Sequence, residues 1–324
     1  MRICIFGAGA IGGFIAAFMA RSGIEVSVVA RGAHLEAIQA KGLTLETRDE
    51  TFTVRVKASG DPAELGPQDG VLVTVKAPAL PAMARSIAPL LGPDTPVAFL
   101  TNGVPWWYFH GHGGAWDGHR LPALDPDDII WNAIGPNRTV GGIAWPASSV
   151  PQPGHVRMND PRSRPTILGA PDGSMMPGML LLEQAFNQAD LPVVIDSRIR
   201  DRIWEKLAFN WSAGPLCVLT ETPVLATQEE PVLIEASRTI LAEAMVLIEA
   251  LGCRAAVDVE RILTTNRTLG HRPSVLQDLQ ARRPMEVAAL YDVPLQLAAM
   301  AGVPMPTLGL LAGLIRVKAR ALGL

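Results

Sequence analysis

The run from Arg2 to Gly13, "RICIFGAGAIGG", constrains this chain more than any other stretch. A strand-like pentapeptide runs straight into a GxGxxG formed by Gly7, Gly9 and Gly12, and a helical run follows without a gap. A turn that tight needs one glycine for the bend, a second where backbone approaches a pyrophosphate, and a third where helix and strand close on each other. With Ala8, Ala10 and Ile11 between the glycines, the first backbone N–H groups of the helix face the phosphates. Such a turn belongs at the start of a doubly wound α/β sheet that holds a dinucleotide.

The end of the second strand bears on which dinucleotide. "EVSVVAR" offers Arg31 where an NAD site would place a carboxylate for the ribose 2'-hydroxyl. A guanidinium forms charge-assisted bonds with a 2'-phosphate, so the expected cofactor is NADP. Strand and helix patterns keep alternating through "GVLVTVK", the helical "ALPAMARSIAPLL" and "PVAFL", which predicts a parallel sheet with crossover helices. Lys76 and Asn102 follow two of these strands and fall at the carboxyl edge of the sheet, where such folds bind ligands. "LTLETRDETFTVRV" reads as two short strands around a polar turn, and "TVGGIAWPA", "GHVRM" and "PTILG" as later strands. From Pro192 onward the patterns are helical. The fold expected is a Rossmann-type doubly wound sheet domain over residues 1–194, followed by an all-α helical domain over 195–324.

Charge and composition exclude several partners. With 28 basic and 31 acidic residues the net charge is -3, which leaves no electrostatic footprint for nucleic acid or an anionic membrane. No apolar run is long enough for a membrane span. Cys4, Cys217 and Cys253 are far apart and show no metal or disulfide spacing, and Met1 leads directly into a strand rather than a leader pattern. A cytoplasmic protein with a small-molecule partner is expected, and the sequence leaves room for a homodimer. His110, His112 and His119 lie in a glycine-rich loop with little carboxylate or thiol support, so no metal is expected there. The aromatic run Trp106 to Phe109 in the same loop reads as a cover over the substrate or as a packed loop.

The stretch "WEKLAFN" carries the other half of the chemistry. Lys206 and Asn210 are one helical turn apart and share a face, in a run whose remaining members are mostly apolar. A lone lysine in such a place commonly snorkels to solvent. Behind a dinucleotide fold it has a second use, because reducing a ketone leaves negative charge on oxygen that a cation can stabilise and protonate.

At this point the chain resembles the ketopantoate reductases (2-dehydropantoate 2-reductases) through "GAGAIG", "VTVK", "TNG", "WEKLAFN", "SVLQDLQARRPMEV" and "GVPMPT". The resemblance implies NADPH-dependent reduction of a 2-oxo acid, with Lys206 as general acid and substrate ligand and Asn210 beside it on the substrate. It implies that Ser274 holds the substrate carboxylate and that Glu286 acts near cofactor and substrate. Asn102 would position nicotinamide and substrate, Lys76 would lie near the cofactor, and Ala147 would line the nucleotide. Two other readings share these features: another two-domain hydroxy-acid dehydrogenase, or a non-catalytic NADP sensor, which would have no need for a proton donor. One position departs from the family pattern, because Gly214 stands where a second active-site asparagine is expected to help hold the substrate's far hydroxyl. The expectation drawn from Gly214 and the nearby aromatics is a preference for bulkier or more apolar 2-oxo acids.

Overall fold

The computed structural model describes all 324 residues, Met1–Leu324. The chain divides into two units: Met1–Thr101 with Trp106–Ile199, and Asn102–Pro105 with Arg200–Leu324.

In the first unit, β1 (Arg2–Phe6), α1 (Ala10–Arg21), β2 (Glu25–Val29) and α2 (Gly32–Lys41) form the opening βαβα run. The polar turn expected near residue 48 is there, joining β3 (Leu43–Glu46) to β4 (Thr51–Val54) as an antiparallel pair. β5 (Lys57–Ser59), β6 (Gly70–Val73), α3 (Leu80–Ala84), β7 (Val97–Phe99), α4 (Ile129–Ala133) and β8 (Thr139–Ile143) follow. The unit is completed by β9 (Ser148–Gln152), β10 (His155–Met158), β11 (Thr166–Gly169), α5 (Pro177–Gln188) and β12 (Val193–Ile195).

The main sheet has eight strands in the order β12-β11-β8-β7-β6-β1-β2-β5. All its pairs are parallel except β8 with β11. β6, β7 and β8 are buried along their whole length, as strands covered on both faces must be, which is why they read as unbroken apolar or small-residue runs. β4-β3-β10-β9 form a second sheet, and α1 packs against all four of its strands. β3 alternates buried and half-buried residues, the pattern of a strand covered on one side.

One expectation is corrected here. The crossover expected as one helix over residues 79–91 is broken into a short 3-10 turn, the five-residue α3 and a second 3-10 turn at Ala88–Leu90. Pro81 sits in the first turn of α3, where proline is tolerated, but Pro89 lacks the N–H that a continuing helix would need. Of the two readings offered for the aromatic run, a cover or a packed loop, the structure bears out the packed loop. Trp106, Trp107, Tyr108 and Phe109 are at most 3% exposed. Trp106 meets Phe99 and Trp131 edge-on, and Trp107 fills the space that Gly141 leaves by lacking a side chain. His112 and His119 set their rings against Phe109, while Arg120 lies over Trp131.

The second unit is helical throughout: α6 (Ile199–Thr220), α7 (Val224–Thr227), α8 (Pro231–Ala250), α9 (Val259–Asn266), α10 (Ser274–Gln280), α11 (Val293–Met300) and α12 (Pro306–Ala321). Residues Ala288–Asp292 form one π-helical turn leading into α11. Trp204, Leu207 and Trp211 bury the apolar side of α6. Buried polar groups lock its neighbours in place: Ser237 donates to the Ser212 carbonyl, and Asn266 donates to the Ser212 hydroxyl. Glu243 of α8 accepts from the N–H groups of Thr307 and Leu308, capping α12 at its positive end. No helix is long and apolar enough to cross a membrane.

Candidate active site

The glycine turn that follows β1 in the first unit is built from three glycines doing three different jobs. Gly7 has φ of +107°, and a side chain there would meet Val75 at 2.7 Å. At Gly12 a Cβ would stand 2.1 Å from the Gly7 carbonyl oxygen, so helix and turn could not close. Gly9 is different: nothing lies within 4 Å of where its Cβ would be. Open space at that glycine, with no side chain capping α1 and no acidic residue in its first turn, is what an incoming pyrophosphate requires.

Two side chains that the sequence did not single out hold this turn. Thr74 donates to the Gly7 carbonyl at 2.5 Å. His34 of α2 bonds the Ala8 carbonyl through Nε2 at 2.6 Å, while its Nδ1 accepts the Gly154 N–H at 3.0 Å. Because Gly154 N–H must donate, the ring is set with its proton on Nε2.

Arg31 caps the start of α2 just past β2, with an exposed side chain. Lys76 follows β6 at the start of a 3-10 turn. Since β2 and β6 are the two neighbours of β1, the chain brings Arg31, the glycine turn and Lys76 to adjacent strand ends. Ala147 is exposed in the link between β8 and β9, further along the same edge.

The second unit gathers the groups suited to acid–base work. Lys206 and Asn210 are half-buried on one face of α6. Glu286, 3% exposed, accepts from the Asn102 amide at 3.0 Å. Asn102 belongs to this unit because Gly103 and Val104 dock on the π turn, with the Val104 N–H donating to the Ala289 carbonyl at 3.0 Å. Gly103 is held at φ of +86°, and a Cβ there would fall 2.4 Å from the same carbonyl oxygen. Burial pulls the Lys206 ammonium down to about 8 from an ordinary 10.5, and the Glu286 charge opposes that pull. A lysine near 8 is a competent proton donor at neutral pH, which an unperturbed one is not.

Ser274 begins α10 with its side chain exposed, and it is not hydrogen-bonded to the Lys206 and Glu286 cluster. Its neighbour Val275 nevertheless comes within 3.7 Å of the Cβ position of Gly214, two turns along α6 from Lys206. Tyr291, which no motif singles out, places its hydroxyl 3.5 Å from that same position. No pattern marks a tyrosine in an apolar helix as anything but core.

Comparison with known proteins places the whole chain in one family. Residues 3–173 match the model of the ketopantoate reductase PanE/ApbA family, and residues 198–319 match the model of its C-terminal domain. A 2-dehydropantoate 2-reductase from Mesorhizobium japonicum is 41% identical over 318 residues, covering 98% of this chain and 97% of its own. The solved structure assigned to a ketopantoate reductase of Ralstonia solanacearum MolK2 superposes with a TM-score of 0.92 at 38% identity, covering 100% of this chain and 99% of the other. D-mandelate dehydrogenase, solved with NADH and anilino(oxo)acetate, shares the fold with a TM-score of 0.84 at 20% identity over the full length of both chains. A glycine turn open at Gly9, a desolvated lysine facing a buried carboxylate, and matches that span both units leave one assignment: this chain is an oxidoreductase of the ketopantoate reductase family.

Proposed function

We propose that the protein reduces the carbonyl of a 2-oxo acid with NADPH, and that Lys206 is the general acid. The observation carrying this reading is the half-buried Lys206 ammonium beside the buried Glu286, with its proton held at about 8. A nicotinamide cofactor held at the glycine turn would supply the hydride that the carbonyl carbon accepts. Lys206 then completes the reduction by giving one proton to the carbonyl oxygen, so the charge that develops there meets a cation already in place. Glu286 keeps the lysine protonated, and the amide of Asn102 fixes the carboxylate that does so. Asn210, one turn further along α6, offers its side-chain amide to the substrate. The exposed hydroxyl of Ser274 is the group we assign to the substrate carboxylate.

NADPH is favoured over NADH by Arg31, an exposed guanidinium at the end of β2 where a carboxylate would serve a 2'-hydroxyl. Gly7 to Gly12 cradle the pyrophosphate, and Lys76 and Ala147 flank the nucleotide along the same sheet edge. NADH is the cofactor bound by D-mandelate dehydrogenase, so the test must run both. The purified protein should oxidise NADPH when given 2-dehydropantoate or a related 2-oxo acid, with NADH a poorer donor. Absence of turnover with every 2-oxo acid in a panel of aliphatic, hydroxylated and aromatic compounds would remove the proposal.

A further inference from the structure

We propose that Tyr291 anchors the far end of the substrate and selects 2-oxo acids bearing a hydroxyl there. This rests on the 2-oxo acid reading above and deepens it.

Lys206, Asn210 and Gly214 fall at successive turns of one face of α6. The first two present an ammonium and an amide; the third presents nothing. The space beside it is met from the other side by Tyr291, whose hydroxyl oxygen is 3.5 Å from the ideal Gly214 Cβ. The polar row on α6 is therefore continued by a group borrowed from the π turn. That turn is held at its middle residue: Trp211 donates to the Leu290 carbonyl at 2.7 Å, and the Leu290 N–H donates to the Glu286 carbonyl at 3.0 Å. One π turn in an otherwise α-helical run is a common way to bring a side chain to a functional site.

Tyr291 is 1% exposed, and the small surface it keeps leaves its hydroxyl, which no protein group bonds, open to a ligand or water. Its neighbours determine what kind. Burial raises the phenol, and the Cys217 and Glu286 groups raise it further, so it stays a neutral donor at every pH at which Lys206 is charged. The Cys217 thiol, pushed up to about 12 by burial, is neutral too. A neutral O–H donor beside a carboxylate suits an uncharged hydroxyl on the substrate, which can accept from the phenol, and it disfavours a second carboxylate. This reverses the preference for apolar substrates expected from Gly214, because the aromatic run invoked with it is packed in the core of the first unit.

The test compares 2-dehydropantoate with 3,3-dimethyl-2-oxopentanoate, in which a methyl group replaces the hydroxyl. Tyr291→Phe should lower kcat/KM for the hydroxylated acid by on the order of 10- to 100-fold, mostly in KM, and leave the methyl analogue nearly unchanged. NADPH affinity and thermal unfolding should stay those of the parent. With the phenolic oxygen gone, Gly214→Asn added to Tyr291→Phe should restore much of the discrimination. Equal losses on both substrates would make Tyr291 a packing residue and overturn the proposal, as would no loss on either. If the unmodified protein reduces methyl and hydroxyl acids equally well, the 2-oxo acid reading survives and this inference fails. If it reduces no 2-oxo acid at all, both fall.

Discussion

Replacing Glu286 with glutamine should move the alkaline limit of activity to lower pH. Burial holds Lys206 at about 8 instead of 10.5, and Glu286 resists that pull. A displacement of this size corresponds to about 3 kcal/mol, at roughly 1.4 kcal/mol per pH unit. Glutamine keeps the shape and can still accept from Asn102, but it removes the charge that favours the ammonium. An opposite charge at short range is worth about 1–3 pH units, so the limit should drop by about one unit or more, into the neutral range. The assay is kcat/KM against pH at saturating NADPH for the parent and the variant. Lys206→Ala should cost roughly 10²- to 10⁴-fold and leave its residual activity without that alkaline limb. Stability should respond in the opposite sense. Below about 8 the ammonium is charged in folded and unfolded chains alike, and burying it costs stability. That cost is relieved as pH rises from about 8 toward 10.5, so the fold gains from this group while activity is lost. An alkaline limb that stays put in Glu286→Gln, or moves upward, would refute the pairing.

Arg31→Ala should weaken NADPH by about 1.5–3 kcal/mol in a binding titration and leave NADH nearly untouched, since only the 2'-phosphate contact is lost. Gly9→Ala should unfold at the parent's temperature yet bind dinucleotide poorly, because open space surrounds that position. Gly12→Ala, 2.1 Å from a carbonyl oxygen, should lower the melting temperature outright. Glu243→Ala should destabilise the second unit by about 2 kcal/mol in denaturant unfolding, as two N–H groups at the start of α12 lose their acceptor.

The parts of the molecule legible in the sequence are those governed by local rules. The glycine turn, the buried strands β6 to β8 and the shared face of Lys206 and Asn210 follow from spacing alone. The crossover over residues 79–91 departs from its helical apolar periodicity because Pro89 forbids the hydrogen bond that would continue the helix. Long-range partnerships were illegible for a different reason. Glu286 is an ordinary surface-type residue until the Asn102 amide arrives to bond it, from 184 positions earlier in the chain. His34 joins two segments that are 26 and 120 residues distant from it, and nothing in its own neighbourhood announces either. Tyr291 was invisible because a π turn shifts side-chain facing by one residue relative to the α-helical reading.

The helical unit is not contiguous in sequence, and that limits how the molecule can be divided. A fragment beginning at Arg200 would carry Lys206, Asn210 and Glu286 but would lack the Asn102 amide and the short segment that docks on the π turn. Its buried carboxylate would be missing a donor, and the turn presenting Tyr291 would lose one of its supports. Exchange of helical domains between relatives at the 199/200 junction would for the same reason pair each new π turn with a foreign clip. A workable chimera has to carry residues 102–105 along with the helices they serve, so the unit of inheritance for this cluster of side chains is two separate pieces of chain.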